Sequence, residues 1–179
     1  LRKEAPEVIR RLKQCGISKV VMMTGDSDRI ASTIAHKVGV DEYYSEVLPE
    51  DKAKFVENEK KSGRRVIMIG DGINDSPALS EASVGIAISD GAEIAREIAD
   101  VTISADDLYE IATLKRLSDA MVRRINKNYH MIVGINTGLI LLGVAGVFQP
   151  TMSALLHNTS TILISLKSME NLLDTGTKL

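Results

Sequence analysis

The chain has 179 residues, with 22 Lys and Arg against 24 Asp and Glu, and its formal net charge at pH 7 is −2. Because this balance leaves no strong positive field, it excludes general binding to nucleic acid, and we expect no nucleic-acid partner. The single cysteine, Cys15, excludes an internal disulfide framework and a cysteine-cluster zinc site, and it is typical of a reducing compartment.

Short apolar runs alternate with amphipathic segments over the first part of the chain. The runs are rich in β-branched residues and are bounded by Gly, Asp or Ser, as buried parallel strands are. Because strand and helix alternate, we predict an α/β fold with a doubly wound, mostly parallel sheet. In chain order the predicted elements are helix 6–13, strand 20–23, helix 28–38, helix 52–61, strand 66–69, helix 76–81, strand 84–88, helix 92–99 and strand 101–103.

The rest of the chain predicts helices of a different kind. A helical pattern over about 107–127 continues without Pro or Gly into the stretch 128–166, which contains no Asp, Glu, Lys or Arg. A helix of about 20 apolar residues can cross a bilayer, and the stretch divides at Pro150. We therefore predict a transmembrane α-helical hairpin with helices at about 129–148 and 151–169. A buried helical hairpin in a soluble core is the alternative.

Basic residues flank this hairpin on both sides, which predicts that both of its ends lie in the cytosol. We then expect an integral protein of the plasma (inner) membrane, with the lipid bilayer as a partner and the α/β part in the cytosol. The flanking residues are Arg123, Arg124, Lys127 and Lys167.

Polar loops follow two of the predicted strands, at the edge where an open α/β sheet binds its ligand. Thr24, Gly25 and Asp26 follow the first strand, and the run from Gly70 to Asp75 follows the strand at 66–69. The glycines permit tight turns and close approach of a ligand to the backbone, and carboxylates offer the hard oxygens that Mg²⁺ prefers. These loops predict a site for a metal-bound phosphate.

The acidic run is the stronger of the two signals. It places Asp71, Asn74 and Asp75 directly after a buried strand, where two carboxylates repel each other unless a cation lies between them. Thr-Gly-Asp alone is commonly a turn with a helix cap. Between the loops, Pro49 marks a helix start, and Lys52 in its first turn can neutralise a phosphoryl oxygen or can be an ordinary solvated lysine.

Three motifs, in this order, resemble the phosphorylation domain of P-type ATPases, which belong to the haloacid dehalogenase-like superfamily. In the third of them, the pattern Gly-Asp-Gly-x-Asn-Asp-x-Pro-Ala-Leu is close to diagnostic. The last two helices and the string His157-Asn158-x-Ser160-Thr161 most resemble the heavy-metal-transporting branch. The three motifs are Met23-Thr24-Gly25-Asp26, Leu48-Pro49-Glu50-Asp51-Lys52, and the run from Met68 to Leu79.

The resemblance implies an enzyme that hydrolyses ATP through an aspartyl-phosphate and moves a metal ion across a membrane. The attacking aspartate of that family lies in an Asp-Lys-Thr-Gly-Thr motif, which this sequence lacks, so we expect a fragment whose N-terminal part precedes Leu1. The implied division is 1–105 for the C-terminal part of the phosphorylation domain, 106–127 for a cytosolic stalk helix, and 128–179 for the two transmembrane helices and a tail.

The resemblance also assigns roles within the site, with ATP and Mg²⁺ as cofactors. Thr24 donates to the phosphoryl oxygens, Gly25 and Asp26 shape its loop, and Lys52 neutralises charge. Asp71 ligates Mg²⁺ and Gly72 lies beside it. Asn74 and Asp75 support the metal and the phosphate.

Three polar residues in the last two helices are candidate ligands for the transported ion: Asn136, His157 and Asn158. Imidazole with amide and hydroxyl oxygens favours a borderline divalent ion such as zinc, cadmium or manganese over Cu⁺, which prefers sulfur ligands. A hydrogen bond that packs two helices together is the alternative interpretation of His157.

Two other functions are compatible with parts of the pattern. One is a membrane-anchored haloacid dehalogenase-like phosphatase, which needs a nucleophile loop that does not occur before Thr24. The other is a non-catalytic regulatory half-pump that binds a partner protein. An Asp-Lys-Thr-Gly-Thr segment upstream of Leu1 would decide for the transporter.

Overall fold

The computed structural model describes residues 3–70, 73–88, 97–103 and 107–172. The chain forms two compact units, Leu1–Leu114 and Lys115–Leu179. The last elements are two long helices, α5 (Tyr109–Val144) and α6 (Pro150–Lys167). Before them, in chain order, are α1 (Ala5–Gln14), β1 (Val21–Met23), α2 (Asp28–Val38), β2 (Glu42–Tyr44), α3 (Pro49–Lys61), β3 (Ile67–Gly70), a 3₁₀ turn (Ile73–Asp75), α4 (Ser76–Glu81), β4 (Val84–Ile88) and β5 (Val101–Ile103).

Every strand pairing in the first unit is parallel, which confirms the predicted α/β class. The strands form two sheets, β1-β2 and β3-β4-β5. Val21 is paired with Glu42 in the first, and Ile67 with Val84 and Ile86 with Val101 in the second. The expected single sheet is therefore divided: within the described residues, no ladder of hydrogen bonds joins β1 to β3.

Most of the predicted elements are found close to their predicted bounds. Helix 28–38 and strands 84–88 and 101–103 are confirmed residue for residue. Helix α3 begins at Pro49, three residues before the helical pattern at 52–61. This is the start that Pro49 itself predicted, because a missing N–H costs nothing in the first turn of a helix. Strand β2 was not predicted, since Glu-Tyr-Tyr is polar and half exposed. Most of the predicted helix 92–99 lies outside the described residues.

Two hydrophobic clusters hold the first unit together. The Ile86 cluster packs Val8 and Leu12 of α1 against Ile86, Ile103 and the start of α5 at Ile111. The Val56 cluster is separate and consists of Val56, Met68, Ala78 and Leu79, with Met23, Ala53, Val66 and Ala82 packed against it.

The carboxylate of Asp41 joins α1 to the start of the β1-β2 sheet. It accepts hydrogen bonds from the ammonium of Lys13 at 2.7 Å and from the backbone N–H of Val20 at 2.8 Å. Both contacts hold the pKa of Asp41 below its usual value, and the hydrogen bond from Lys13 has the larger effect. Because the folded pKa is the lower one, ionised Asp41 stabilises the fold above the unfolded pKa, and this stabilisation is lost as the pH falls through the folded pKa.

Replacing Asp41 with asparagine is therefore expected to lower the free energy of unfolding at pH 7. As the pH falls through the folded pKa of Asp41, the variant and the original chain should converge. Urea denaturation across the acid range measures both effects. The variant Lys13→Met should reproduce the loss at neutral pH, and a difference that does not change with pH would contradict the assignment.

The second unit is a hairpin of two helices whose ends are joined by polar contacts. Helix α5 ends at Val144, and Gly146 follows with a positive φ of 72°, a conformation that favours glycine. The guanidinium of Arg124 donates to backbone carbonyls just beyond α6, at Ser168 and Asn171 with distances of 3.0 Å, and also at Glu170. These bonds satisfy carbonyls that have no partner within a helix.

The predicted transmembrane hairpin at 129–148 and 151–169 is not borne out. Among the described residues, no helix combines the length and the apolar character that crossing a membrane requires. Helix α5 ends at Val144, so the last apolar residues of the first predicted span lie outside it. Helix α6 contains the polar run from His157 to Thr161 at its middle.

Candidate phosphate and metal site

The centre of the site is the turn that follows β3. After Gly70 the chain passes through a 3₁₀ turn that ends at Asp75, and the Asp75 side chain lies against the end of the strand. A Cβ at Gly70 would lie 2.6 Å from the Asp75 Cβ and 2.8 Å from its Oδ2. A side chain at this position would therefore displace Asp75. The close neighbour of the Gly70 backbone in this structure is the Asp75 side chain, and the predicted approach of a ligand stays a prediction.

Lys52 and Asp75 form an ion pair at this turn. The Lys52 Nζ lies 2.8 Å from the Asp75 Oδ1, and the side chains are only 16% and 11% exposed. Two predicted site residues that are 23 positions apart in the sequence are thus brought into contact. Because both groups are largely removed from water, each depends on the other for its charge to be stable.

Four residues of the Val56 cluster, or packed against it, are close in sequence to residues of the site. Met23 directly precedes Thr24, Ala53 directly follows Lys52, Met68 lies two residues before Gly70, and Ala78 lies three residues after Asp75. All four side chains belong to the cluster or pack against it. The buried side chains therefore fix the loops that carry the polar groups.

Thr24 lies in a loop that is braced by hydrogen bonds. Its Oγ1 donates to Asp26 Oδ2 at 2.9 Å and accepts from the Asp26 backbone N–H at 3.1 Å. The loop after β2 reinforces it, because Val47 N–H donates to the Thr24 carbonyl at 3.0 Å. A Cβ added to Gly25 would meet nothing closer than the Val47 carbonyl oxygen at 3.9 Å, so the fold itself does not require glycine there.

The predicted magnesium ligands are only partly described. Asp71 and Gly72 lie outside the described residues, and Asn74 is exposed. Among the residues that the structure describes, no group of three His, Cys, Asp or Glu side chains could hold a metal ion. The Oδ1 of Asp75 is bound to Lys52 and its Oδ2 lies against Gly70, an arrangement that fits a supporting role better than direct ligation.

Two of the three candidate ligands for the transported ion are in contact. The His157 Nδ1 on α6 lies 2.7 Å from the Asn136 Oδ1 on α5, so the hydrogen bond expected of helix packing is present. The third candidate, Asn158, is exposed.

Sequence analysis missed one glycine that matters to the site. A Cβ at Gly85 would lie 2.7 Å from the backbone oxygen of Leu79, so β4 and α4 approach each other closely at this point. Helix α4 directly follows Asp75, and this contact fixes where the helix lies. A glycine inside the apolar run 84–88 was the available signal, because glycine within a strand often marks a close backbone approach.

The sequence and the fold of this chain are similar to those of known proteins. A sequence profile of haloacid dehalogenase-like hydrolases matches residues 1–83. The chain is 40% identical over 165 residues to a zinc-exporting P-type ATPase of Mycobacterium marinum and 39% identical over 165 residues to a manganese-exporting P-type ATPase of Mycobacterium leprae. It is 44% identical over 156 residues to copper-transporting ATPase 2 of Rhizobium meliloti.

These matches cover most of this chain and a small part of each relative. They span 92%, 92% and 87% of this chain, and 22%, 23% and 19% of the zinc, manganese and copper proteins. Among solved structures, a zinc-transporting PIB-type ATPase in the E2.Pi state matches with a TM-score of 0.86 and 31% identity, over 94% of this chain and 28% of that one. The chain therefore spans about a fifth of the length of its curated relatives.

Proposed function

Since this chain is homologous to heavy-metal P-type ATPases over nearly all of its length, we propose that it is part of an ATP-driven metal transporter. Residues 1–105 then form the C-terminal part of a phosphorylation domain that works through an aspartyl-phosphate. The observation that carries the proposal is the desolvated pair of Lys52 and Asp75 at the carboxyl end of β3, where an open sheet binds its ligand.

Lys52 is suited to stabilise a transferring phosphoryl group. An ammonium has three N–H donors, and the contact with Asp75 uses one of them. Asp75 holds the ammonium in place before the reaction, so its charge acts without reorganisation. The remaining donors can bind phosphoryl oxygens. Thr24 can donate to them as well once its hydroxyl releases the Oδ2 of Asp26, to which it donates in this structure.

Magnesium fits this site through the acidic run. Asp71 would hold the ion beside Gly72, and Asn74 and Asp75 would support the metal and the phosphate. A bound Mg²⁺ would neutralise the charge that develops on the phosphoryl oxygens.

The divided sheet supports a further segment in the complete protein. All three residues of β1 are partly exposed, and Ile67 in β3 is 40% exposed, whereas strands of parallel sheets are normally covered. We propose that an upstream segment adds a strand between β1 and β3 and carries the attacking aspartate at its end.

The cargo we propose is a divalent cation: zinc, cadmium or manganese. The donor that we propose is the imidazole of His157, because a nitrogen ligand without sulfur beside it suits borderline cations better than Cu⁺. Because such a cation crosses a membrane, we expect the complete protein to be membrane-bound, with the phosphorylation domain in the cytosol.

The function is tested by ATP hydrolysis of the complete protein in detergent or lipid. We expect stimulation by Zn²⁺, Mn²⁺ or Cd²⁺ and much less by Cu⁺. His157→Ala should raise the concentration of the preferred ion that is needed for half-maximal activity. If Cu⁺ stimulates best, or if His157→Ala leaves the selectivity unchanged, the cargo assignment is wrong.

The isolated 179-residue chain is expected neither to hydrolyse ATP nor to form a phosphoenzyme, because it lacks the nucleophile. Incubation with γ-labelled ATP followed by acid precipitation measures the incorporated phosphate. The complete protein under the same conditions is the positive control. Acid-stable label on the isolated chain would mean that the nucleophile lies within it.

A further inference from the structure

The hydrogen bond between His157 and Asn136 is compatible with one tautomer of the neutral imidazole when the Asn136 oxygen is the partner. It joins the His157 Nδ1 to the Asn136 Oδ1 at 2.7 Å. A carboxamide oxygen has no proton to donate, so the ring N–H at Nδ1 must be the donor. In the neutral imidazole the other nitrogen, Nε2, therefore keeps its lone pair.

The backbone of His157 is held as firmly as its ring. Its carbonyl oxygen accepts a hydrogen bond from Ser160 Oγ at 2.8 Å and another from Thr161 Oγ1 at 3.0 Å. Side-chain hydroxyls that bond back to a helix carbonyl in this way commonly bend the helix. Both the ring and the main chain of one residue are thus restrained, the ring from α5 and the carbonyl from α6 itself.

We propose that Asn136 is a positioning residue for the transported cation and is not one of its ligands. The inference rests on the proposed transport function and changes the role that the sequence suggested for Asn136. Histidines that ligate metals usually donate their second ring N–H to an oxygen, which orients the ring and raises its basicity. Asn136 supplies that oxygen, and His157 Nε2 is the atom left to bind a borderline divalent cation.

Electrostatic repulsion disfavours direct binding of the cation to the Asn136 Oδ1. The Asn136 Oδ1 already accepts the His157 N–H at short distance. A cation on that oxygen would lie beside the positive end of the N–H dipole and would be repelled by it. A ligand role for Asn136 would therefore require this hydrogen bond to break.

The test is a double-mutant cycle in the complete protein, with Zn²⁺ and then Mn²⁺ as the probe. Affinity is measured directly by competition with a chromophoric chelator, and the half-maximal concentration for ATP hydrolysis is measured in parallel. Asn136→Leu, which has no acceptor, should weaken affinity by about 10- to 100-fold, the usual effect of removing such a partner. Asn136→Asp keeps an acceptor and should retain the original affinity or exceed it.

The decisive comparison is made in the His157→Ala background. If Asn136 acts only through the ring, Asn136→Leu should have no further effect there. An equal loss of affinity in both backgrounds would make Asn136 a ligand and overturn the inference. Unchanged affinity with lowered thermal stability would reduce the bond to helix packing and overturn it as well.

Failure of the transport proposal would look different. In that case no metal ion would stimulate ATP hydrolysis by the unmodified complete protein. The direct Zn²⁺ affinities of the four proteins would still show whether Asn136 acts through His157. Absence of any Zn²⁺ binding that depends on His157 would overturn the inference itself.

Discussion

Replacing Lys52 with methionine in the complete protein is expected to abolish phosphoenzyme formation and to lower the free energy of unfolding by about 3–5 kcal/mol. The loss of stability arises because Asp75, whose side chain is 11% exposed, would keep a desolvated charge without its partner. The loss of activity is expected because the variant lacks the ammonium that we propose binds the phosphoryl group. Losing one preorganised group of this kind typically costs about 10²- to 10³-fold in rate.

A second substitution separates these two effects. The double variant Lys52→Met with Asp75→Asn removes both charges, so it should regain most of the lost stability while remaining inactive. Acid-stable phosphoenzyme measures the first property and chemical denaturation the second. Recovery of activity in the double variant would show that Lys52 serves only to neutralise Asp75.

The matched control is Lys54→Met in the same helix. The Lys54 side chain is 67% exposed, and its Nζ lies 3.6 Å from Asp51 in a solvated pair. Exposed pairs of this kind contribute little to stability. We expect Lys54→Met to leave both stability and phosphoenzyme formation essentially unchanged, and a large effect at this position would contradict the assignment of the first variant to the buried pair.

Local sequence patterns were sufficient to predict the elements whose apolar residues follow a regular period. Helix α2 and strand β4 have clear periodicities and bounding residues, so their limits could be read directly. Strand β2 could not be predicted, because among the described residues Glu42–Tyr44 pairs with β1 alone and buries too little surface to need apolar residues. The division into two sheets depends on which strands share an edge, and local patterns carry no such information.

The sequence predicted which residues form the site but only part of the contacts between them. The rule that ligands bind at the carboxyl ends of parallel strands singled out the loop at Thr24 and the acidic run. Lys52 was added by the family resemblance, and in the structure it contacts the acidic run at Asp75. The sequence could not show that Asp75 forms an ion pair with Lys52. A carboxylate that pairs with a lysine and a carboxylate that binds a metal can occupy the same position in a sequence. The end of helix α5 was also predicted wrongly. Several glycines precede Pro150, and the sequence does not reveal which of them, Gly146, adopts a positive φ.

Replacing Gly70 with alanine is expected to reduce phosphoenzyme formation by about 100-fold while the protein still folds. The added Cβ would lie 2.6 Å from the Asp75 Cβ and 2.8 Å from its Oδ2, so the Asp75 side chain must move. Lys52 is held by that side chain and would move with it. A displacement of about 1 Å at a reacting centre can cost about 100-fold in rate, whereas overpacking typically costs only about 1–3 kcal/mol of stability.

Gly85→Ala provides the matched comparison, because it makes the same change against a different neighbour. Its Cβ would lie 2.7 Å from the backbone oxygen of Leu79, which cannot rotate away as a side chain can. We expect Gly85→Ala to lower stability at least as much as Gly70→Ala, with phosphoenzyme per folded molecule largely retained. Labelled phosphate and urea denaturation, measured on both variants of the complete protein, give the two quantities. If Gly70→Ala lost stability but kept its activity, the Asp75 side chain would not be what positions Lys52.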